Sequence, residues 1–215
     1  MSPRSRRPGT RRRRFLGLGV ALAALASAAT AFWWWGPLPG DDRVLLAYAG
    51  LSASERPAGA DPWTVTAGGA LCTRGDGAVI EDVRIRTVGD VDARPVLLTV
   101  SPADFGESGL VGIGTAAGSP PDFAEPYADA DPVPGTYTEP VDREISACES
   151  SRAGSTGPTQ DLLVVMSAGP GGGAVTRVEV DYSSWGRTRT ASARTELVLC
   201  GSESAAPVLR RECRG

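Results

Sequence analysis

Between Phe15 and Trp35 the chain runs 21 residues without a charge, and seven arginines crowd the 14 positions before it. An uncharged run of that length matches the hydrocarbon thickness of a bilayer. Unbonded backbone amides are costly in hydrocarbon, so a lone span of this kind has to be helical. The run divides the chain into a basic cytoplasmic tail (1–14), a transmembrane helix or signal anchor (15–35), a stalk (36–60) and an extracytoplasmic domain (61–215). Trp33, Trp34 and Trp35 stand at the far end of the span, where indoles favour the headgroup layer. Gly36, Pro37, Pro39 and Gly40 then stop the helix. Arginine before the span and Asp41 and Asp42 after it predict a single-pass protein of the cell membrane, N-terminus inside and C-terminal domain outside.

Secretion after signal cleavage is the alternative, because Ala26-Ser27-Ala28 and Ala29-Thr30-Ala31 both fit a small-residue cleavage site. Cleavage there leaves the tryptophans at or near a free N-terminus with no evident use. Arg12-Arg13-Arg14-Phe15-Leu16 resembles the twin-arginine export signal, although Arg11 and Gly17 depart from its usual flanks. A lipoprotein anchor is not expected, since the first cysteine after the span is Cys72.

All 22 basic residues are arginine, and the chain has no lysine, histidine or asparagine. The missing histidine excludes Ser-His-Asp and Cys-His catalysis and every metal site that needs imidazole. Residues 36–215 hold 15 arginines against 25 acids, a net charge of −10. Such a domain repels nucleic acid, which is not expected as a partner.

Four cysteines, Cys72, Cys148, Cys200 and Cys213, all follow the span. An even count in an exported chain, with no Cys-x-x-Cys spacing, reads as two disulfides. Three pairings exist. Cys200 and Cys213 are near enough to close a short loop, which leaves Cys72 for Cys148, and this pairing is slightly preferred.

The rest of the domain reads as β. Val44 to Tyr48 is an apolar island that fits a first strand, and Trp63 to Thr66 alternates. Val79 to Val88 alternates again, and Pro95 to Val100, Gly109 to Ile113 and Leu162 to Met166 are compact apolar runs. Val178, Val180 and Tyr182 face one way while Arg177, Glu179 and Asp181 face the other. Period-2 alternation with one charged face marks antiparallel sheet, and no exterior window sustains helical spacing. Seven or eight short strands predict a mainly β domain, an antiparallel β-sandwich of immunoglobulin-like architecture preceded by the one transmembrane helix. Residues 114–143 carry six prolines among acids and read as a long acidic loop, and 149–160 as a polar connection.

No catalytic, cofactor-binding or metal-ligating set stands out, and no cofactor is expected. Arg74-Gly75-Asp76 spells an adhesion tripeptide but fits an ordinary turn after a cysteine. Gly169-Pro170-Gly171-Gly172-Gly173 lies before a strand, not a helix, so it reads as a hairpin loop instead of a phosphate cradle. Asp122, Glu125, Asp129 and Asp131 lack the spacing of a calcium loop. They are the expected contact for a protein partner, because charge and loop backbone coincide there. Gly201-Ser202-Glu203-Ser204-Ala205 puts Glu203 where a nucleophile elbow needs serine. Trp185, in Ser183-Ser184-Trp185-Gly186-Arg187, falls at a hairpin end.

Leu71 to Val83 (LCTRGDGAVIEDV) and Leu162 to Cys200 (LLVVM…GGGAVTRVEVDYSSWGR…ELVLC) resemble single-span exported β-domain proteins of high-GC Gram-positive bacteria. The resemblance implies location and fold and no mechanism. The expected function is a membrane-anchored binding or structural module, not an enzyme. The alternatives are an accessory subunit of a cell-envelope secretion, wall-building or transport complex, and an exported hydrolase using an acid pair.

Overall fold

The computed structural model describes residues 43–48, 52–54, 63–75, 77–104, 114–123, 134–148, 157–201 and 213. The anchor, the Gly109 to Ile113 run and most of the acidic stretch lie outside these residues.

Nine strands are described: β1 (Val44–Tyr48), β2 (Ser52–Ser54), β3 (Trp63–Thr73), β4 (Val79–Val100), β5 (Thr115–Ser119), β6 (Asp122–Phe123), β7 (Thr136–Thr138), β8 (Thr159–Ser184) and β9 (Arg187–Leu199). A 3-10 turn, Pro102–Asp104, follows β4. The domain is mainly β and antiparallel; among the described strand pairs only β2 with β9 is parallel. The compact unit runs from Asp42 to Gly215. The 36–60 stretch, read as a stalk, therefore supplies two strands, and the apolar island Val44–Tyr48 is one of them.

Two strands dominate. β4 has 22 residues and β8 has 26, and they pair along nearly their whole length, from Val79 with Ser183 to Val100 with Thr159. The expected separate strands at Val79 to Val88 and Pro95 to Val100 are thus one strand. The same holds for Leu162 to Met166 and Val178 to Tyr182. Gly169 to Gly173 is not a hairpin loop, because the ladder continues past it. Ala168 pairs with Val91 and Gly173 with Gly89, so residues 169–172 stand opposite Asp90 alone. This large bulge is a corner. β8 leaves β3 at Ala168 and takes up β9 from Gly173. Glycine is needed there because the chains come close: a Cβ on Gly169 would strike the Asp90 carboxylate, and one on Gly173 the Val91 side chain. Gly172 also has φ +65°, a backbone that glycine adopts without strain.

The corner separates two arms. The first holds Thr159 to Ala168 of β8 between β3 and the second half of β4, with β1 and β5 on the far edge of β3 and β7 on β4. The second holds Gly173 to Ser184 between β9 and the first half of β4. The main core takes side chains from both: Val65, Leu71, Leu162, Val164 and Met166 from the first, Ile80, Val178, Val180, Tyr182 and Leu197 from the second.

The first arm is buried on its other face as well, where Val96, Leu98, Val100, Leu163 and Val165 cluster with Ala116. Phe123 and Tyr137 cover this cluster, their rings 6.3 Å apart. Residues 114–143 are accordingly not one long loop. They contribute β5, β6 and β7, because an uninterrupted apolar run such as Leu162 to Met166 needs cover on both faces.

Candidate functional site

The end of the domain where the chain enters is built by a strap, Arg143 to Ala147, that bridges the two arms. Thr73, the last residue of β3, donates its N–H to the Ser146 carbonyl at 2.9 Å and forms a parallel bridge with Ala147. At the start of β4, Ile80 donates to the Arg143 carbonyl at 2.9 Å, and Ile145 donates to the Ala78 carbonyl at 2.8 Å. Ile145 is buried in the main core, which fixes the strap between the arms.

Gln160 holds the strap from β8. Its Oε1 accepts the Ser146 N–H at 2.7 Å, and its Nε2 donates to the Glu144 carbonyl at 3.0 Å. The side-chain amide thus takes the place of a neighbouring strand's peptide group. Gly75, Gly77, Glu144, Ser146, Pro158 and Gln160 line a cleft of about 390 Å³ beside the strap. Its buried polar groups are engaged in holding the fold, and its one carboxylate, Glu144, belongs to an exposed residue.

Cys72 is bonded to Cys148 at this end, and Cys200 to Cys213, the preferred pairing; none of the four is free. The first bond ties β3 to the strap. The second fixes the tail beside Ala174 and Val198, on the outward face of the second arm.

Arg74 and Gly75 form a bend, as the turn reading expects. Arg74 donates to the Arg43 carbonyl, and Gly75 donates to Thr73 Oγ1 at 3.2 Å. Asp76 lies outside the described residues, as do Glu125, Asp129 and Asp131. Asp122 is exposed on β6 and pairs with Ser119. Of the four acids only Asp122 falls among the described residues, and no metal-binding group occurs among those residues.

Tyr48 packs, partly buried, against the main core. Its ring lies across Gly69, where a Cβ would come within 2.6 Å of it, and its hydroxyl donates to the Leu162 carbonyl at 2.9 Å. Burial, with a smaller contribution from the Asp161 charge, pushes the phenol well above the usual tyrosine range. A hydroxyl bonded to a backbone carbonyl serves as a brace from β1 over β3 to β8.

The outward face of the second arm is a charged ladder. Asp181 accepts from Arg84 at 2.9 Å and from Thr190 at 2.6 Å. Glu179 lies 3.6 Å from Arg84, 3.6 Å from Arg86 and 3.5 Å from Arg177. Two acids shared among three arginines form a cross-strand network on a wet sheet face.

The hairpin between β8 and β9 forms as expected. Ser184 pairs with Arg187, leaving Trp185 and Gly186 as a two-residue turn with φ +55° and +70°. Positive φ at both central positions defines a type I′ turn, which normally takes Asn, Asp or Gly at the first of them. Trp185 is 77% exposed.

No family model matches this chain, and no curated protein matches it in sequence. Sequence reading missed Glu144, Ser146 and Gln160, which no motif joins. The available signal was a lone glutamine at the start of a strand, just before the apolar run Leu162 to Met166.

Proposed function

We propose that the protein is held in a membrane by residues 15–35 and presents Asp42–Gly215 outside the cell as a binding or structural module. The observation that carries this is the pair of disulfides, Cys72–Cys148 and Cys200–Cys213. Bonds of this kind persist in oxidising compartments and are rare in a reducing cytosol. The uncharged span supplies the export and the anchor. The common core of the two arms supports the sandwich reading of the fold. Its departure from an immunoglobulin-like arrangement is that β4 and β8 run through both layers.

The test is fractionation of cells making the full chain, with protease added to the outside. The full-length product should sediment with membranes and lose its domain to external protease, and the unreduced, denatured chain should take up no thiol reagent. Recovery in the soluble fraction, starting at Ala29 or Phe32, overturns the anchor and leaves secretion.

One observation favours the second reading, an accessory subunit of an envelope complex. Among the described residues, the edge of β4 away from β8 is paired only with the strap region at Val79 and Ile80 and with β7 over Leu97 to Thr99. An open edge is a place where a partner adds a strand. On either reading Asp122, Glu125, Asp129 and Asp131 are the proposed contact for a protein partner, and exchanging all four for Asn or Gln should weaken co-purification at low salt.

A further inference from the structure

We infer that the Trp185–Gly186 hairpin tip docks in the lipid headgroup layer of the membrane that carries the span. This rests on the anchored reading proposed above.

The first support is position. The chain enters the domain at Arg43, whose carbonyl takes the Arg74 N–H. Thr73 and Val79, on either side of the short connection, are both bridged to the strap, at Ala147 and Glu144. Val79 pairs with Ser183, two residues before Trp185. The point of attachment and the tip therefore share one end of the domain. From Trp35 to Arg43 is eight residues, at most about 28 Å of extended chain. A span ending at Trp35 tethers the domain by this end.

The second support is the residue itself. Trp185 is a large aromatic at φ +55°, a left-handed backbone that bulky side chains rarely occupy. The turn holds it out at 77% exposure, so the indole is not used by the domain's own core. An amphipathic indole presented in this way fits the headgroup layer, where one part of the ring is apolar and the N–H stays wet.

Charge does not choose the partner. Arg74, Arg143 and Arg187 are exposed at this end, but so are Glu81, Asp142 and Glu144. The surface is balanced, so contact depends on the indole and is indifferent to anionic lipid. One indole binds a bilayer weakly. The tether makes the contact intramolecular, at an effective concentration in the millimolar range, which suffices to set the orientation of the domain.

The experiment uses the full chain with Trp33, Trp34 and Trp35 changed to Phe, which leaves buried Trp63 and Trp185 as reporters. It is reconstituted into phosphatidylcholine vesicles with and without lipid brominated close to the headgroup. The Trp185→Phe version is the blank. Brominated lipid should quench the Trp185 part of the emission severalfold more than acrylamide does, and Trp185→Phe should lose that quenching. The quenching should be unchanged when a third of the lipid is phosphatidylglycerol. If the chain floats with the vesicles but Trp185 is quenched by acrylamide and not by lipid, the tip faces water or another partner and the inference is overturned. If the chain does not float at all, the anchored reading itself fails, and the inference with it.

Discussion

The two arms are made from the same pair of strands, yet they meet water differently. In the first, Leu162, Val164 and Met166 enter the main core while Leu163 and Val165 enter a second one. In the second, Val178, Val180 and Tyr182 enter the core while Arg177, Glu179 and Asp181 form a charged outer face. The difference lies in what the rest of the chain has to cover. An arm overlaid by Phe123 and Tyr137 tolerates an unbroken apolar run, whereas an arm facing solvent needs alternation. The corner at Gly169 to Gly173 lets one strand obey both rules in turn.

The largest effect expected from this contrast is at Leu163. Leu163→Ala should lower unfolding stability of the full chain in mild detergent by about 2–5 kcal/mol, the usual range for a truncated buried leucine. A loss below about 0.5 kcal/mol, typical of a surface site, would show that the outer face of the first arm is wet after all.

A smaller effect is expected at Tyr48, which braces the first arm only. Tyr48→Phe removes its hydrogen bond to Leu162 and should cost about 1 kcal/mol near neutrality. The pH response is more diagnostic. Because the folded phenol is raised, the unfolded chain releases its proton first, above about pH 10. The folded state is then the one that binds more protons, so stability falls as pH rises further. Tyr48→Phe should flatten that alkaline slope in denaturant titrations, leaving a remainder from Tyr137, whose phenol burial also raises. An unchanged slope would place Tyr48 in contact with water.

The smallest effect belongs to the second arm. Arg84→Ala breaks contacts to Glu179 and Asp181, but the Arg84 side chain is 47% exposed. Solvent screening limits such a pair to about 1 kcal/mol or less, and the loss should shrink further in high salt. A loss equal to that of Leu163→Ala would abolish the distinction between the arms.

Much of this was readable from residues. Alternation at Val178 to Tyr182 gave the correct faces, Ser184-Trp185-Gly186-Arg187 the hairpin, and the spacing of Cys200 and Cys213 the disulfides. The length of β4 and β8 was not readable. Bulges at Asp90 and Thr176 interrupt the hydrogen-bond ladder only locally while they shift the phase of the side chains, so a pattern of period 2 ends where the strand does not. Proline hid β5, β6 and β7 in the same way, since a Pro-rich stretch reads as loop until an apolar face requires a cover. The cleft was hidden for another reason. Gly75, Glu144 and Gln160 meet only through the strap, and no local spacing records that.

The pairing of β4 with β8 also favours an order of events during folding. Thr99 meets Gln160 across a moderate loop, whereas Val79 meets Ser183 only after more than a hundred intervening residues. Closing long loops is entropically costly and slow, so the ladder has reason to zip from the Thr99 end towards Val79. In a chain that appears from its N-terminal side, β1, β3 and β4 are present before β8. The apolar half of β4 then waits without its partner, and the pairing of Val79 with Ser183 is the last part of that ladder to close. The longest ladder of the domain is thus completed late, and the core it carries closes only when β8 has arrived.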